Sequence, residues 1–434
     1  MTDIWQQRCF EQQVQRDNDH RSAYQRDKAR VLHSAAFRRL QSKTQVLGIG
    51  INDFHRTRLT HSLEAAQIGQ GIVAQLQQKQ PQLTQELGLD ANLIETLCLA
   101  HDIGHPAFGH GGEIALHFMM RDHGGFEGNG QTFRIVSKLE PYTQANGMNL
   151  TRRTTLGLVK YPATLTTLGY QNQQPLPQNI RQLKAGDWHP PKGLFDDDND
   201  MLQWLLLPLS DNDKRLFSSI TEPNQQGKCK TRYKSFDCSI MELADDIAYG
   251  IHDLEDAIAM GFTQKEQFDQ LVATPLAALD DPWFRDNALP LADKLYSRHH
   301  YIRKDAIGAL VNKLITSITI QPVNQDFELA ILAHNAALAP EHKQALDLFK
   351  DFVFDKVIKK PEIQRIEYKG QQVVMELFEA ISSDPMRLLP ENTAIRWQQS
   401  QKQGLGHRVI CDYIAGMTDG YASRLYRDLF STKH

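Results

Sequence analysis

Cysteine is scarce: the 434 residues hold five, at positions 9, 98, 229, 238 and 411, too scattered for the disulfide framework of a secreted domain. Cys229 and Cys238 are likewise too sparse for a zinc signature. No apolar run approaches the roughly 20 residues of a membrane span, and the charged, Gln-rich start has no signal-peptide core. These absences predict a cytoplasmic protein with no membrane partner. An excess of positive charge is missing too. Against 48 Lys and Arg stand 52 Asp and Glu, a formal net charge of −4. No global basic field advertises nucleic acid, and nothing supports single-stranded nucleic acid as a partner. An anionic substrate must therefore be held by local charge. The chain has no Walker-type phosphate loop, no strand-like alternation of any length and no internal repeat. Its hydrophobic fraction of 41% suffices for a large core, and helical periodicity predicts an all-α fold.

What the chain does have is LIETLCLAHDIGHPAFGHGGE, from Leu93 to Glu113. Its last 13 residues include His101, Asp102, His105, His110 and Glu113. Leu93, Ile94, Leu97 and Cys98 share one helical face, with Asp90 as N-cap. His101 continues that face, while Asp102 points about 100° around the helix. The pair can close on one ion only at the helix end, where Gly104 and the His105-Pro106 bond break the periodicity. The helix is therefore expected to end at a cavity. His110 and Glu113 lie three apart at the start of another helix, close enough to hydrogen-bond. Each residue alone also reads as a satisfied core group; the five together point to metal binding or proton transfer.

Earlier in the chain, YQRDKARVLHSAAFRRLQSKTQV predicts a helical face of Val31, Leu32, Ala35, Ala36, Phe37 and Leu40. Arg30, Arg38, Arg39 and Lys43 around it read as solvated. Residues 47–57 predict a loop. In RLTHSLEAAQIGQGIVAQL, His61 faces inward with Ala65, Ile68, Ile72 and Leu76, one turn after Arg58. A buried histidine needs a partner, and a metal ion is one candidate.

Residues 163–234 read as an insertion or lid, with a short buried segment MLQWLLLPL and a solvated run DDDND, Asp196 to Asp200, that has no site role. SIMELADDIAYGIHDLEDAIAMGF restores helical order, with Ile240, Ala244, Ile247, Ile251, Leu254 and Ile258 on one face. Asp245, Tyr249 and Asp253 descend it in i, i+4, i+8 register, like the wall of a pocket. Three regions are expected: an N-terminal helical segment over 1–55, a catalytic core over 56–260 and a C-terminal helical region over 261–434.

His61, the His101-Asp102 pair and Asp245 offer two imidazoles and two carboxylates. Such a set suits a divalent ion of intermediate hardness, Mn, Ni, Zn, Co, Fe or Mg. The arrangement resembles the HD-domain metal-dependent phosphohydrolase superfamily. Within it, RLTHSLE, HDIGHPAFGHGGE, FEGNGQTFR and ADDIAYGIHDLEDA are similar to the deoxyguanosine triphosphate triphosphohydrolase (dGTPase-like) family, as is RVLHSAAFRRLQSKTQV before them. The likeness covers residues 24 to about 260 well and the C-terminal third loosely.

The resemblance implies an HD-domain core with additional C-terminal helices and His61, His101, Asp102 and Asp245 as metal ligands. Asp245 is preferred to Asp246 because the family places its ligand four residues before a substrate-contacting tyrosine, here Tyr249. The same likeness puts His110 and Glu113 at the reaction centre and Arg58 and His105 on the phosphates. Gln45, Tyr249 and Asp253 fall on the deoxyribose. Lys160, and Arg298, Arg303 or Lys304, are further phosphate contacts. The segment before Lys234 departs from compact family members.

The implied reaction is hydrolysis of a deoxynucleoside triphosphate at the α-phosphorus to deoxynucleoside and tripolyphosphate, in a homo-oligomer, a hexamer by the family's habit. His110 as nucleophile and His110 as general acid stay equally open. A nucleotide monophosphatase, cyclic-nucleotide diesterase or guanosine-tetraphosphate hydrolase would keep the metal and change the substrate; the His110/Glu113 pair and the KTQV block favour the triphosphohydrolase. A nucleic-acid-binding oligomer with a structural metal would prefer an incomplete ligand set and a basic charge, and neither is seen.

Overall fold

The computed structural model describes residues 3–10, 18–45, 56–169, 175–224 and 228–431; the loop expected over 47–57 lies outside them up to residue 55. Helix α1 (Ala23–His33) begins at a capping box of Ser22 and Gln25. The continuous face expected from Val31 to Leu40 is broken at Ser34. Its extended backbone stops α1, and its hydroxyl accepts from the Phe37 N–H to start a new turn at Ala35–Arg39. Val31, Ala36, Phe37 and Leu40 are buried as predicted. The basic residues around them are not all solvated. Arg30 is buried and donates to the Met148 carbonyl at 3.0 Å. Lys43 is buried too, its Nζ donating to the carbonyls of His105 at 2.5 Å and Ala415 at 3.0 Å. Remote backbone oxygens replace water there, and nothing in the local sequence signals them.

Helix α2 (Arg58–Lys79) starts at a Thr57/Thr60 capping box and buries His61, Ala65, Ile68, Ile72 and Leu76. Against it lies α3 (Ala91–Ala100), capped by Asp90, which accepts from the Leu93 N–H at 3.0 Å. After the turn at 101–108 come α4 (Gly109–Met119) and α5 (Gly128–Arg134). Helix α6 (Phe236–Ile247) passes through a π-helical turn at Ala248–His252 into α7 (Asp253–Ala259). Its expected apolar face, Ile240 to Ile258, is buried throughout. The wider π turn interrupts the expected acidic row: Tyr249 sits inside the turn, half-exposed, and Asp253 below it is buried.

The C-terminal region adds α8 (His300–Ser317), α9 (Pro340–Val353), α10 (Pro361–Ser383), α11 (Gly406–Ala415) and α12 (Asp419–Phe430). The only sheet among the described residues is an antiparallel pair, β1 (Thr319–Pro322) and β2 (His334–Ala337), with Ile320 opposite Ala336. Four residues are too few for alternation to register in the sequence. The fold is all-α apart from this pair, and no helix among the described residues is long and apolar enough to cross a membrane.

Two apolar cores form. One joins α1, α2, α3, α6, α8 and α9 through Val31, Ile68, Leu97, Ile247, Leu310 and Phe349. The other joins α4, α10 and α11 through Leu116, Val374, Leu377 and Ile410, with Trp188 and Phe195 from the long connection. In that connection the helix Asn199–Leu206 buries Met201, Leu202, Leu205 and Leu206. The acidic run at its start is the solvated face expected only at Asp196, Asn199 and Asp200. Asp198 is fully buried against Arg134 at 2.7 Å, and Asp197 accepts from Arg408 at 2.9 Å. Its function is structural, linking α5 and α11, and it takes no part in the cleft described below.

Candidate active site

Three elements of the first core converge. His61 comes from the first turn of α2, His101 is the C-cap of α3, and Asp245 lies near the end of α6. The ligand atoms of these three lie within 4.8 Å of one another. Asp245 Oδ1 is 2.9 Å from His61 Nε2 and 3.5 Å from His101 Nε2. His101 Nδ1 lies 2.7 Å from the Cys98 carbonyl, an acceptor that requires the proton on Nδ1 and leaves the Nε2 lone pair facing the cluster. Buried, His101 Nε2 has no hydrogen-bond partner. Asp102 stands at the edge, its Oδ1 3.5 Å from His101 Nε2 and 3.0 Å from His105 Nδ1, its Oδ2 bonded to Arg58 at 2.6 Å.

Burial opposes protonation of His101, yet the carboxylates of Asp102 and Asp245 outweigh it and hold the ring up at about 9. Burial also works against the charge on Asp245, and the two histidines nonetheless keep it well below the usual carboxylate range. A field that draws a proton onto a buried imidazole draws a cation equally well. The donor set and the orphaned Nε2 both fit a divalent ion held by His61, His101 and Asp245, with Asp102 adjacent.

The cluster opens into a cavity of about 370 Å³, within the range of small-molecule sites. Gln45, Arg58, His101, Asp102, His105, His110, Lys160, Asp245 and Tyr249 line it, while His61, Glu113 and Asp253 are buried. His110 Nδ1 is 3.2 Å from Glu113 Oε2, and Glu113 Oε1 accepts from the Gly128 N–H at 2.9 Å. Burial pushes the Asp253 carboxyl up to about 7, and its Oδ2 has no partner. Lys160, half-buried, is held above the ordinary lysine range by Tyr161 and Glu242, so the cleft keeps a cation there and a second at Arg58. Arg298, Arg303 and Lys304 are not brought to the cleft: Lys304 pairs with Glu255 at 2.7 Å, and Arg303 bonds the Ser297 carbonyl.

Other lining residues were not singled out from the sequence. Asn129 and Tyr161 sit inside or beside blocks that were, next to Gly128 and Lys160. Lys192 comes from the aperiodic HPPKG stretch. Phe354, Ile358, Ile363, Ile366 and Glu367 close the cleft from the C-terminal region, where the likeness is loose.

A histidine-aspartate pair ending a helix beside a second histidine and a distant aspartate defines a class. The family model of the HD domain matches residues 58–148, and that of the phosphohydrolase-associated domain matches 336–428. The protein is an HD-domain phosphohydrolase, and HD domains are metal-dependent. It is 58% identical to the deoxyguanosinetriphosphate triphosphohydrolase-like protein of Shewanella pealeana, over 100% of this chain and 98% of the relative. To that of Shewanella sp. (strain ANA-3) it is 59% identical, over 99% and 97%. To deoxyguanosinetriphosphate triphosphohydrolase-like protein 1 of Vibrio cholerae serotype O1 it is 57% identical, over 99% and 98%. The chain belongs to the deoxyguanosinetriphosphate triphosphohydrolase-like family.

Proposed function

We propose that the protein hydrolyses deoxynucleoside triphosphates, dGTP among them, at the α-phosphorus, releasing deoxynucleoside and intact tripolyphosphate. The observation that carries this reading is the meeting, in one cleft, of the His61/His101/Asp245 cluster, the cations Arg58 and Lys160, and the His110–Glu113 pair. His61, His101, Asp102 and Asp245 hold one divalent ion from the set Mn, Mg, Ni, Zn, Co and Fe. When bound, that ion supplies Lewis acidity toward a phosphate oxygen and lowers the pKa of its water. Arg58, His105 and Lys160 hold the phosphates, their charge set against the charge that develops on them. Gln45 and Asp253 read the 3′-OH, and Tyr249 packs where a 2′-OH would crowd it. Glu113 fixes the His110 ring, so that Nε2 faces the α-phosphorus as nucleophile or the 5′-oxygen as general acid. The enzyme works in the cytoplasm as a homo-oligomer, a hexamer in this reading.

The test is incubation with each deoxynucleoside triphosphate and Mn or Mg, with products resolved by ion exchange. Deoxynucleoside and tripolyphosphate should appear together; accumulating diphosphate or orthophosphate sinks the reading. His110→Ala should lose turnover by about 10²- to 10⁴-fold while keeping its metal and its dGTP affinity. A metal-free His110→Ala protein would make His110 a ligand instead.

A further inference from the structure

Among its described residues, the connection between residues 163 and 234 delivers one charged group to the cleft, Lys192. It sits on a firmly anchored strip. Trp188 is buried edge-on against Phe118 at 4.7 Å, Phe195 is buried beside Phe126, and Leu194 exchanges backbone hydrogen bonds with Ala163 and Leu165 at 2.9 and 3.0 Å. Lys192 Nζ donates to Glu127 Oε1 at 3.1 Å and lies 3.9 Å from Glu113 Oε1. Both carboxylates are buried. Glu127 is the N-cap of α5, its Oε2 accepting from the Gly130 N–H at 2.7 Å. Glu113 holds His110.

We propose that Lys192 is a positioning residue for His110: its ammonium is the shared counter-charge of Glu113 and Glu127, and keeps Glu113 ionised and turned to accept from the His110 ring. The inference rests on the reading that His110 acts at the reacting centre. Two buried carboxylates deprived of their common cation cannot both stay ionised, because each destabilises the other's charge in a medium with little water. Glu127 keeps the Asn129 side chain at 2.7 Å and the Gly130 N–H as donors, and Glu113 keeps the Gly128 N–H at 2.9 Å and the His110 ring. When the proton falls on Glu113, its carboxyl is a weaker acceptor for the His110 ring and the imidazole is held less firmly. Direct binding of a substrate phosphate by the same ammonium is the competing role, since Lys192 also lines the cleft.

The two roles separate in a double-mutant cycle on the full-length, metal-loaded enzyme with dGTP. Lys192→Met should lower kcat about 10- to 100-fold, part of what a positioned acid-base group contributes, with KM unchanged. Lys192→Arg should restore most of the loss. In a Glu113→Gln background, Lys192→Met should cost nothing further, because its effect is transmitted through that carboxylate. If the Met variant does not fold, Lys192→Gln, which keeps a donor but no charge, carries the same expectation. A raised KM with kcat held, or an undiminished cost in the Glu113→Gln background, overturns the positioning role in favour of a phosphate contact. An enzyme that needs His110 but is indifferent to Lys192→Met overturns the inference alone; full turnover by His110→Ala overturns the reading beneath it.

Discussion

Asp245 and Asp246 are adjacent, and their attachments differ. Asp245 faces His61 and His101, whereas Asp246 is paired with Lys350 at 2.6 Å. Asp245→Ala should therefore lose bound metal and activity together, because the ion loses a bond and a compensating charge, and Asp246→Ala should keep its metal. Metal analysis of the two purified variants decides; a metal-replete Asp245→Ala protein is the contrary result. Sequence periodicity hardly separates these neighbours, and the spacing to Tyr249 supplied by family likeness was what chose between them. Lys43 was less legible still, since its partners are backbone oxygens far along the chain. Burial, reinforced by Arg39 and Arg58, pulls its ammonium down to about 7. The unfolded chain, with an ordinary lysine near 10.4, then binds this proton more tightly than the folded one. Below about pH 7 both states carry the proton and the cost of burying it is complete; as pH rises toward 10 the cost is relieved and stability increases. Measured by denaturant titration, the stability of the wild type relative to Lys43→Met should climb with pH by up to about 1.4 kcal/mol per unit. Parallel curves would contradict this.

At the level of elements, the closeness of α4 and α10 decides where His110 sits. A Cβ on Gly111 would stand 2.4 Å from the Glu367 carbonyl oxygen, a backbone atom that cannot swing aside. Alanine gains about 1 kcal/mol of helix propensity over glycine, but overpacking of this kind costs about 1–3 kcal/mol. Gly111→Ala should thus be destabilised on balance and should lose turnover, because α10 is pushed from the helix that carries His110. A calorimetric scan showing a raised melting temperature with full activity would refute the contact. Apolar periodicity revealed α2, α3 and α6 with their buried faces, because those helices turn one side to a core. It missed the break at Ser34 and the π turn after Ile247, where one hydroxyl and one extra backbone residue change direction without altering the apolar pattern. It gave no sign of Lys192, whose strip has neither a helical nor a strand period.

For the whole molecule, the second core is tied to the long connection by buried ions. Arg134 bridges Asp198 at 2.7 Å and Asp412 at 2.9 Å, and none of the three is more than slightly exposed. Arg134→Ala would leave the buried Asp412 without its cation and Asp198 with Lys138 alone, at 3.4 Å, a change of the kind that typically costs about 3–5 kcal/mol. Its denaturation midpoint should fall accordingly, and a loss under about 1 kcal/mol, the size of an exposed pair, would show that water reaches the network.

The placement of the cleft between two cores also divides labour along the chain. The cluster of His61, His101 and Asp245 hangs on the first core, which also takes Ile363 at the start of α10, while Ile366 and Glu367 lie further along α10, toward the face that packs in the second. A substitution at Ile366 should therefore change the shape offered to a ligand and leave the bound metal unchanged, the one set by α10 and the other by α2, α3 and α6.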